Sequence, residues 1–443
     1  MKIERKFENN ETIEELTQFI QKAVTPFHTV QAVRELLTEH GFKELNMEEP
    51  FEILRGGSYF VTVYESSLMA FTVGEDFQTA KAGLRCTSSH TDFPGFKLKP
   101  EPKICMETGN GNCYIKCNTE VYGGPILNTF FDRPLSLAGK VVTRGERYDK
   151  PVSHLVDFKD PILYLPNLAI HMNREVNDKG VGIDNQRHLL PMLGMLDEVL
   201  NKDTKFVDLL AKKLGVDAKD ILDYDLCIYN PEQPKLVGYT EEFISAPRLD
   251  DITSCSSLIH GLIDSNNADR VNLVCLFDNE EVGSLSKQGA DSTLASVIIH
   301  KIWQAFGKNA VDCMADISDG LMISVDVAHA YHPNYPAPQD ITNYPLMNKG
   351  FILKTASNQS YAWDPEILGA LIDLCDRAEI PVQRFVKQSN TKGGGTIASV
   401  ISSHLPMRTA DLGVGLLAMH SACEMMGVRD QVALAQFAKA FFE

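Results

Sequence analysis

Two adjacent glutamates, Glu280 and Glu281, stand where the sequence predicts the end of a buried strand. Residues 271–277 are apolar and rich in β-branched side chains, which is typical of a strand covered on both faces. Chemistry in α/β sheets collects beyond the carboxyl ends of such strands. One glutamate there can ligate a metal while the other moves a proton from bound water. A solvated acidic loop is the alternative for this pair considered alone.

Other predicted strands and one predicted helix carry metal-binding side chains at their ends. One strand ends at His90, and Asp92 follows two residues later, where a carboxylate can orient the imidazole. Asp326 and His420 come at the ends of two later strands. Asp250 lies at the start of a predicted helix, where helix capping is the alternative role. Each residue alone is weak evidence, so the hypothesis depends on their joint placement.

Taken together, the candidate ligands fit a site for two metal ions. They are two histidines and three carboxylates, namely His90, Asp250, Glu281, Asp326 and His420. Zinc is bound by such ligands, with cobalt or manganese as alternatives. Five ligands suffice for two ions if one aspartate bridges them, which leaves positions for water and substrate. Glu280 then remains as the general base.

The composition is that of a globular protein with an acidic surface. Its 443 residues exceed one simple core and predict two domains. The formal net charge of −17 argues against nucleic-acid and anionic-membrane partners. No apolar run approaches the roughly 18 residues of a membrane span, and the first residues lack the apolar region of a signal peptide. We therefore predict a cytoplasmic protein whose ten cysteines are reduced core residues.

The predicted elements change in character along the chain. Residues 1–95 and 241–443 alternate strands with helices, whereas residues 96–240 contain short strands and a predicted helix at about 186–212. This pattern predicts a discontinuous α/β catalytic domain with an inserted β-rich domain. Within the insert, His171 stands near an arginine. Such a pair can bind a carboxylate, although a hydrogen-bonded core histidine fits the pattern equally well.

Seven stretches of the sequence resemble the aspartyl aminopeptidases of peptidase family M18, which are dinuclear-zinc exopeptidases. They are residues 25–28, 89–92, 168–174, 248–250, 278–284, 326–335 and 419–421. The resemblance implies a mixed-sheet zinc-exopeptidase fold that removes an N-terminal residue, preferably Asp or Glu, from peptides. It also implies self-association through the β-rich insert into a large homo-oligomer, typically a dodecamer.

By position, the resemblance implies how the ligands divide between two zinc ions. His90 and Asp326 would hold one ion. Glu281 and His420 would hold the other, and Asp250 would bridge both.

The same resemblance assigns roles beyond the ligands. Glu280 corresponds to the base that shuttles a proton, and Asp92 to the residue that supports the histidine ligand. The matched substrate contacts are His329, Lys354 and Tyr361, together with His171, which is donated to a neighbouring subunit. The ammonium group of Lys354 could pair with an acidic first side chain of the substrate. A solvated lysine at a strand end is the alternative.

We expect neither of two departures from the family pattern to touch a metal ligand, and only the second to affect specificity. Asp251 stands where the resemblance leads us to expect asparagine, and Gly393, Gly394 and Gly395 replace a more polar turn that could line the substrate pocket. That glycine loop lacks the lysine and hydroxyl residue of a nucleotide-binding P-loop. The alternative functions are an aminopeptidase of broad or neutral specificity, a metal-dependent deacetylase or carboxypeptidase, and a non-catalytic assembly protein on the same scaffold.

Overall fold

The computed structural model describes residues 10–78, 83–107, 112–196, 200–391 and 393–443. The helices in these ranges are α1 (Glu11–Lys22), α2 (Pro26–Glu39), α3 (Val176–Lys179), α4 (Phe206–Leu214), α5 (Leu249–Asp264), α6 (Leu294–Ala305), α7 (Ala310–Asp319), α8 (Pro365–Arg377), α9 (Ile397–His404) and α10 (Val428–Phe442).

The strands in the same ranges are β1 (Lys43–Glu44), β2 (Ser58–Val63), β3 (Ser67–Val73), β4 (Gly83–His90), β5 (Gly95–Glu107), β6 (Cys113–Tyr122), β7 (Pro134–Arg147), β8 (Lys150–Asp157), β9 (Leu163–Tyr164), β10 (Met192–Met195), β11 (Ile221–Tyr229), β12 (Lys235–Val237), β13 (Phe243–Ala246), β14 (Arg270–Phe277), β15 (Leu321–Val325), β16 (Ala328–His329), β17 (Phe351–Thr355), β18 (Val382–Val386), β19 (Arg408–Gly413), β20 (Gly415–Leu417) and β21 (Glu424–Gly427).

The chain divides into two compact units. The first unit comprises Met1–Asp92, Pro234–Met419 and Glu424–Glu443, and the second comprises Phe93–Gln233 and His420–Cys423. No helix in the described ranges is long and apolar enough to cross a membrane.

A mixed nine-stranded sheet forms the centre of the first unit, in the order β1-β2-β3-β14-β4-β15-β19-β17-β18. Strands β14, β4, β15 and β19 are parallel neighbours. In the β14–β4 pair, Phe277 lies opposite His90. Parallel pairing therefore brings the carboxyl ends of these strands to one edge of the sheet. The mixed-sheet α/β prediction is confirmed.

Alternating side chains of the central strands enter cores on opposite faces of the sheet. On β14, Val274 and Leu276 pack in one core with residues of α1, α2, α5, α8 and α10. Leu273, Cys275 and Phe277 pack in the other with residues of α6, α7 and α9. Because side chains alternate along a strand and both faces are covered, the strand appears in sequence as a mostly apolar run, interrupted only by Asn272 between Val271 and Phe277.

The first unit also contains a smaller sheet in the order β12-β13-β21-β20-β16. Its parallel pairing of β16 with β20 places His329 opposite Leu416. Its antiparallel pairing of β13 with β21 places Ala246 opposite Glu424, just before the helix that contains Asp250. The small sheet therefore positions two chain segments that lead to candidate site residues.

The second unit is a β-barrel. Strands β11, β5, β6, β10, β9 and β7 form a closed ring because β11 pairs with both β5 and β7, and β8 pairs with β7 outside the ring. Its core is apolar and includes Phe96, Leu137, Leu226 and Ile228. The predicted strands of the insert are therefore confirmed as elements of a closed sheet.

One predicted element of the insert is wrong. Of the described residues in the helix expected at about 186–212, only those from Phe206 onward are helical, and Met192–Met195 forms strand β10; residues 197–199 lie outside the described ranges. This strand pairs with β6, in which Ile115 lies opposite Gly194. Hydrogen bonds to a strand distant in sequence thus outweigh the weak local preference for a helix, which Pro191 also interrupts.

The cysteine prediction is also partly wrong. Cys105 and Cys113, on the paired strands β5 and β6, form a disulfide. The other eight are free, and seven of them are buried.

Candidate active site

Three of the candidate segments lie at the same edge of the nine-stranded sheet. His90 is the last residue of β4, Asp326 follows β15, and Glu280 and Glu281 follow β14 in a short 3-10 turn. Asn279 begins that turn with φ 65°, a left-handed conformation that asparagine tolerates better than most residues. Strand pairing and the turn together direct this part of the chain toward His90.

The imidazole of His90 is fully buried and has different neighbours on its two nitrogens. Its Nε2 atom lies 3.3 Å from Asp250 Oδ1 and 3.7 Å from Asp326 Oδ1. Its Nδ1 atom lies 3.0 Å from the carbonyl oxygen of Asp92 and 3.5 Å from Asp92 Oδ1. With Nδ1 held by Asp92, Nε2 is directed toward the other carboxylates, which is the orientation a metal-binding histidine needs.

Asp92 also holds the glutamate turn. Its two carboxylate oxygens accept hydrogen bonds from the backbone N–H groups of Glu280 and Glu281, each at 3.1 Å. One buried aspartate therefore positions both the imidazole and the pair of glutamates. The sequence predicted the first contact but carried no signal for the second, because the turn lies almost 190 residues away along the chain.

The helix start at Asp250 is held from several directions. Arg248 is buried with φ 61° and donates hydrogen bonds to the carbonyl oxygens of Ile20 and Ala23. The backbone N–H of Asp250 donates to Glu424 Oε2 at 3.0 Å. Asp250 thus stands at the start of α5, as predicted, and its carboxylate also lies beside His90.

Asp251 is a member of the cluster that sequence reasoning singled out only as a departure from the family pattern. It is fully buried, and its Oδ2 accepts hydrogen bonds from Ser89 Oγ at 2.5 Å and from the backbone N–H of His90 at 3.3 Å. The expectation that Asp251 touches no metal ligand is therefore wrong, since it contacts His90. The doubled aspartate at a predicted helix start was the signal that could have identified it.

Ligand-type atoms converge in this region. One atom from each of His90, Asp250, Asp251 and Asp326 lies within 4.8 Å of the others, and the same is true of a group formed by His90, Glu280 and Glu281. Imidazole and carboxylate are the ligands of catalytic zinc sites, so the residues present fit the metal.

The electrostatics of the cluster also favour a bound cation. Burial raises the pKa of Asp251 and of Glu281 well above their ordinary values, and neighbouring carboxylates raise them further. Burial raises the pKa of Glu280 to about 8, with Asp326 and Asp250 contributing. Burial opposes the protonated form of His90, but its carboxylate neighbours, Asp251 first among them, raise its pKa well above the usual value. A divalent cation would offset this concentration of buried negative charge.

Two predicted site residues belong to the second unit. His420 follows β20 with φ 67°, and its Nδ1 lies 3.0 Å from the carbonyl oxygen of Gly124 in the same unit. His171 lies in the 3-10 turn Ile170–Met172, where it is exposed. The metal-binding role of His420 and the intersubunit role of His171 stay predictions.

Lys354 is neither solvated nor accessible. Its side chain is 1% exposed, and its Nζ atom lies 2.7 Å from Asp411 Oδ1. The same ammonium group donates to the carbonyl oxygens of Asp326 and Val327, each at 3.2 Å. The alternative of a solvated strand-end lysine is therefore wrong, and Lys354 holds the chain segment that contains Asp326.

The other two predicted substrate contacts lie near this ion pair. The ring of Tyr361 is buried, with Lys354 Nζ 5.1 Å and Lys387 Nζ 4.3 Å from its centroid. The ring of His329 packs edge-on against Phe385, with centroids 6.0 Å apart. Lys387 was not singled out in the sequence, because an exposed or half-buried lysine after a strand has no distinguishing pattern.

Comparison with known proteins agrees with this geometry. Residues 19–442 match the model of a family described as aminopeptidase I zinc metalloprotease (M18). A probable M18 family aminopeptidase 2 of Clostridium novyi is 41% identical over 442 residues, which cover 100% of both chains. Its counterpart from Clostridium acetobutylicum is 40% identical over 432 residues, or 98% of each chain.

Solved structures give the same result. A chain in the cryo-EM structure of the Ape4 and Nbr1 complex superposes with a TM-score of 0.90 at 31% identity, covering 98% of this chain and 87% of that one. The S. cerevisiae mApe1 dodecamer gives a TM-score of 0.81 at 27% identity, covering 98% and 96%. The buried histidine–carboxylate cluster and the full-length matches lead to one conclusion: the chain belongs to the M18 family of zinc aminopeptidases.

Proposed function

We propose that this aminopeptidase removes N-terminal Asp or Glu from peptides, with two zinc ions per subunit and Glu280 as the general base. The observation that carries the proposal is the buried group of His90, Asp250 and Asp326, whose ligand atoms lie within 4.8 Å of one another beside the Glu280 turn. Such a group concentrates metal ligands and a proton-accepting carboxylate at the edge of the sheet where α/β enzymes bind substrates.

The ligands divide between two ions as the family resemblance implies. His90 and Asp326 would hold one zinc ion, Glu281 and His420 would hold the other, and Asp250 would be shared by both. Bound zinc supplies Lewis acidity toward the scissile carbonyl and lowers the pKa of water. The chemistry of the donor set supports this assignment, and cobalt or manganese would fit the same donors.

Glu280 moves the proton. Its carboxylate takes a proton from the attacking water and returns it to the leaving amine. The hydrogen bond from its backbone N–H to Asp92 restrains the turn, and this restraint supports a fixed position for the base. Burial raises the pKa of Glu280 in the cluster without metal, and bound cations would lower it again, which leaves the carboxylate ionised to accept the proton.

Substrate selection uses groups around the metal ligands. The free N-terminal amine of the peptide pairs with carboxylates of the cluster, which accounts for exopeptidase action. His329 and Tyr361 contact the first side chain, and a cationic group beside Tyr361 favours an acidic one. An aminopeptidase of neutral specificity remains the second candidate, because Phe385 places an apolar surface against His329.

Self-association completes the proposal. The S. cerevisiae relative mApe1 forms a dodecamer, and we propose the same assembly for this chain. In the second unit, His171 is flanked by exposed apolar side chains of Leu168, Ile170 and Met172. Exposed apolar groups around a histidine support a subunit contact that carries this residue to a neighbouring active site.

The test combines metal content with substrate preference. Zinc per chain is measured together with hydrolysis of Asp-, Glu- and Leu-leading dipeptides, before and after chelation. Two zinc ions, turnover that chelation abolishes and an acidic preference would support the whole proposal. Preference for Leu would retain the metal chemistry and overturn the specificity.

A separate variant tests the assignment of Glu280 as the general base. Glu280→Gln should retain zinc and lose turnover by about 100-fold or more, because the amide accepts no proton. Turnover at the wild-type rate in Glu280→Gln would show that Glu280 is not the general base. Glu379→Gln, an exposed position, serves as the matched control.

A further inference from the structure

A cavity of about 330 Å³ lies in the first unit beside the strand that carries His329. Its lining includes His329, Phe385, Lys387, Gly393 and Leu416. His329 comes three residues after the candidate ligand Asp326, so this space lies along the chain segment that leaves the metal cluster. A cavity with an apolar wall and one cationic group fits a side chain that has a short apolar stem and an anionic end.

Lys354, the lysine that the family resemblance assigns to substrate binding, has no capacity left for an acidic side chain. An ammonium group has three N–H donors. Asp411 Oδ1 and the carbonyl oxygens of Asp326 and Val327 lie around it at 2.7, 3.2 and 3.2 Å. Asp411 also neutralises the charge of Lys354, and the pair is buried. A substrate carboxylate could bind there only by displacing one of these partners.

The hydrogen-bond acceptors around Lys387 are uncharged, in contrast to those around Lys354, which include the carboxylate of Asp411. Its Nζ atom donates to Ser360 Oγ at 3.0 Å and to the carbonyl oxygen of Gly394, which are both neutral acceptors. No carboxylate of the described ranges lies within salt-bridge distance of it, so its charge has no counter-ion there. Burial, and then the nearby charge of Lys354, lower the pKa of Lys387. An anion beside Lys387 would offset this positive potential.

The glycine loop makes room for this lysine. Gly393 has φ 42°, and a Cβ atom at this position would lie 2.7 Å from Cδ and Cε of Lys387. A side chain at residue 393 would therefore push the lysine stem from its place. The loop that departs from the family pattern is thus complementary to Lys387, and both line the same cavity.

We propose that Lys387 is the specificity-determining residue, whose ammonium group pairs with the acidic side chain of the substrate's first residue, and that Lys354 is a positioning residue for the Asp326 segment. This inference rests on the proposed function and deepens it. The ammonium group of Lys387 has one N–H donor and a positive charge with which it can bind a substrate carboxylate. It lies next to a cavity large enough for an Asp or Glu side chain.

The experiment compares kcat/KM of the full-length enzyme for Glu-, Asp- and Leu-leading dipeptides in three variants. Lys387→Met should lower the values for Glu and Asp by about tenfold to 100-fold, the range expected for a charged hydrogen bond, and leave Leu unchanged. Lys387→Arg keeps the charge and should retain the acidic preference. Arg384→Met, an exposed position on β18, removes one positive charge nearby and should change none of the ratios.

Zinc content and melting temperature of each variant separate a specificity effect from a folding effect. An unchanged Glu-to-Leu ratio in Lys387→Met, with a wild-type enzyme that prefers acidic residues, overturns this inference and leaves the proposed function intact. A wild-type enzyme without acidic preference overturns both this inference and the specificity part of the proposed function. A parallel loss for Glu and Leu in Lys387→Met also contradicts the inference, because it indicates general damage to the site.

Discussion

Charged side chains are buried in the first unit and kept at the surface in the second. The buried Asp, Glu, His, Lys and Arg residues of the described ranges are His90, Asp92, Arg248, Asp250, Asp251, Asp278, Asp326, Lys354, Asp411, Glu424 and Asp430, and all of them belong to the first unit. In the described part of the second unit, the buried polar residues are uncharged: Thr119, Ser136, Thr143 and Asn230.

We attribute this difference to different functions of the two units, catalysis in the first and subunit contacts in the second. Removing a charge from water costs several kcal/mol unless partners compensate for it, so a cluster of buried charges is retained where chemistry requires it. The second unit avoids this cost and instead exposes apolar groups such as Leu168 and Met172. Exposed apolar groups suit contacts between subunits. We therefore expect variants in the first unit to affect catalysis and folding, and variants in the second, apart from those at His171 and His420, to affect assembly.

The largest effect is expected when His90, at the centre of the buried cluster in the first unit, is removed. His90→Ala leaves Asp250 and Asp326 without the imidazole between them. Since loss of a group that merely supports a ligand costs 10–100-fold, loss of the ligand itself should lower turnover by more than about 100-fold and reduce bound zinc. Metal analysis and dipeptide hydrolysis check the result. His404→Ala is the control, because that histidine pairs with Asp291 at a partly exposed position. Full zinc content in His90→Ala would contradict the assignment.

A smaller effect is expected when the buried ion pair is divided. Lys354→Met leaves Asp411 buried without its cation and should lower the free energy of unfolding by about 3–5 kcal/mol. The double variant Lys354→Met, Asp411→Leu removes both charges and should recover much of this loss. Urea unfolding measures both. Equal destabilisation of the single and double variants would show that the charge pair is not the cause.

The activity of the same variant sharpens the distinction between the two lysines. Because Lys354 holds the Asp326 segment, Lys354→Met should reduce hydrolysis of Leu- and Glu-leading dipeptides to a similar extent. This pattern differs from the selective loss expected for Lys387→Met.

The smallest effect on stability is expected in the second unit. Met172 is 74% exposed, and Met172→Asp should change the free energy of unfolding by no more than about 0.5 kcal/mol. It should nevertheless reduce the mass of the assembly, because a charge replaces an apolar group at the proposed subunit contact. Light scattering after size-exclusion chromatography measures the mass. Met314→Asp, on an exposed position of α7, is the matched control. An unchanged assembly mass for Met172→Asp would show that the surface around this residue is not a subunit contact.

Local patterns in the sequence were enough to predict the edge of the sheet that carries the site. Strands β4 and β14 consist mostly of apolar or small residues and are followed directly by polar side chains, and a parallel arrangement brings such ends together. His90, Asp326 and the glutamate pair were therefore recognised from strand ends alone. The same reasoning predicted β6, β7, β8 and β11 of the second unit, because alternation and glycine turns are local signals, but it did not predict β5, β9 or β10.

The tertiary structure decided which partners these residues meet. It paired Lys354 with Asp411, left Lys387 without a counter-ion in the described ranges and gave Asp92 the backbone of the glutamate turn as well as His90. It also made a strand of Met192–Met195, where local preference favoured a helix. Periodicity along the chain determines which face of an element is buried. The partner of a buried charge depends on which distant segments become neighbours in the folded sheet, and that information is spread over the whole chain.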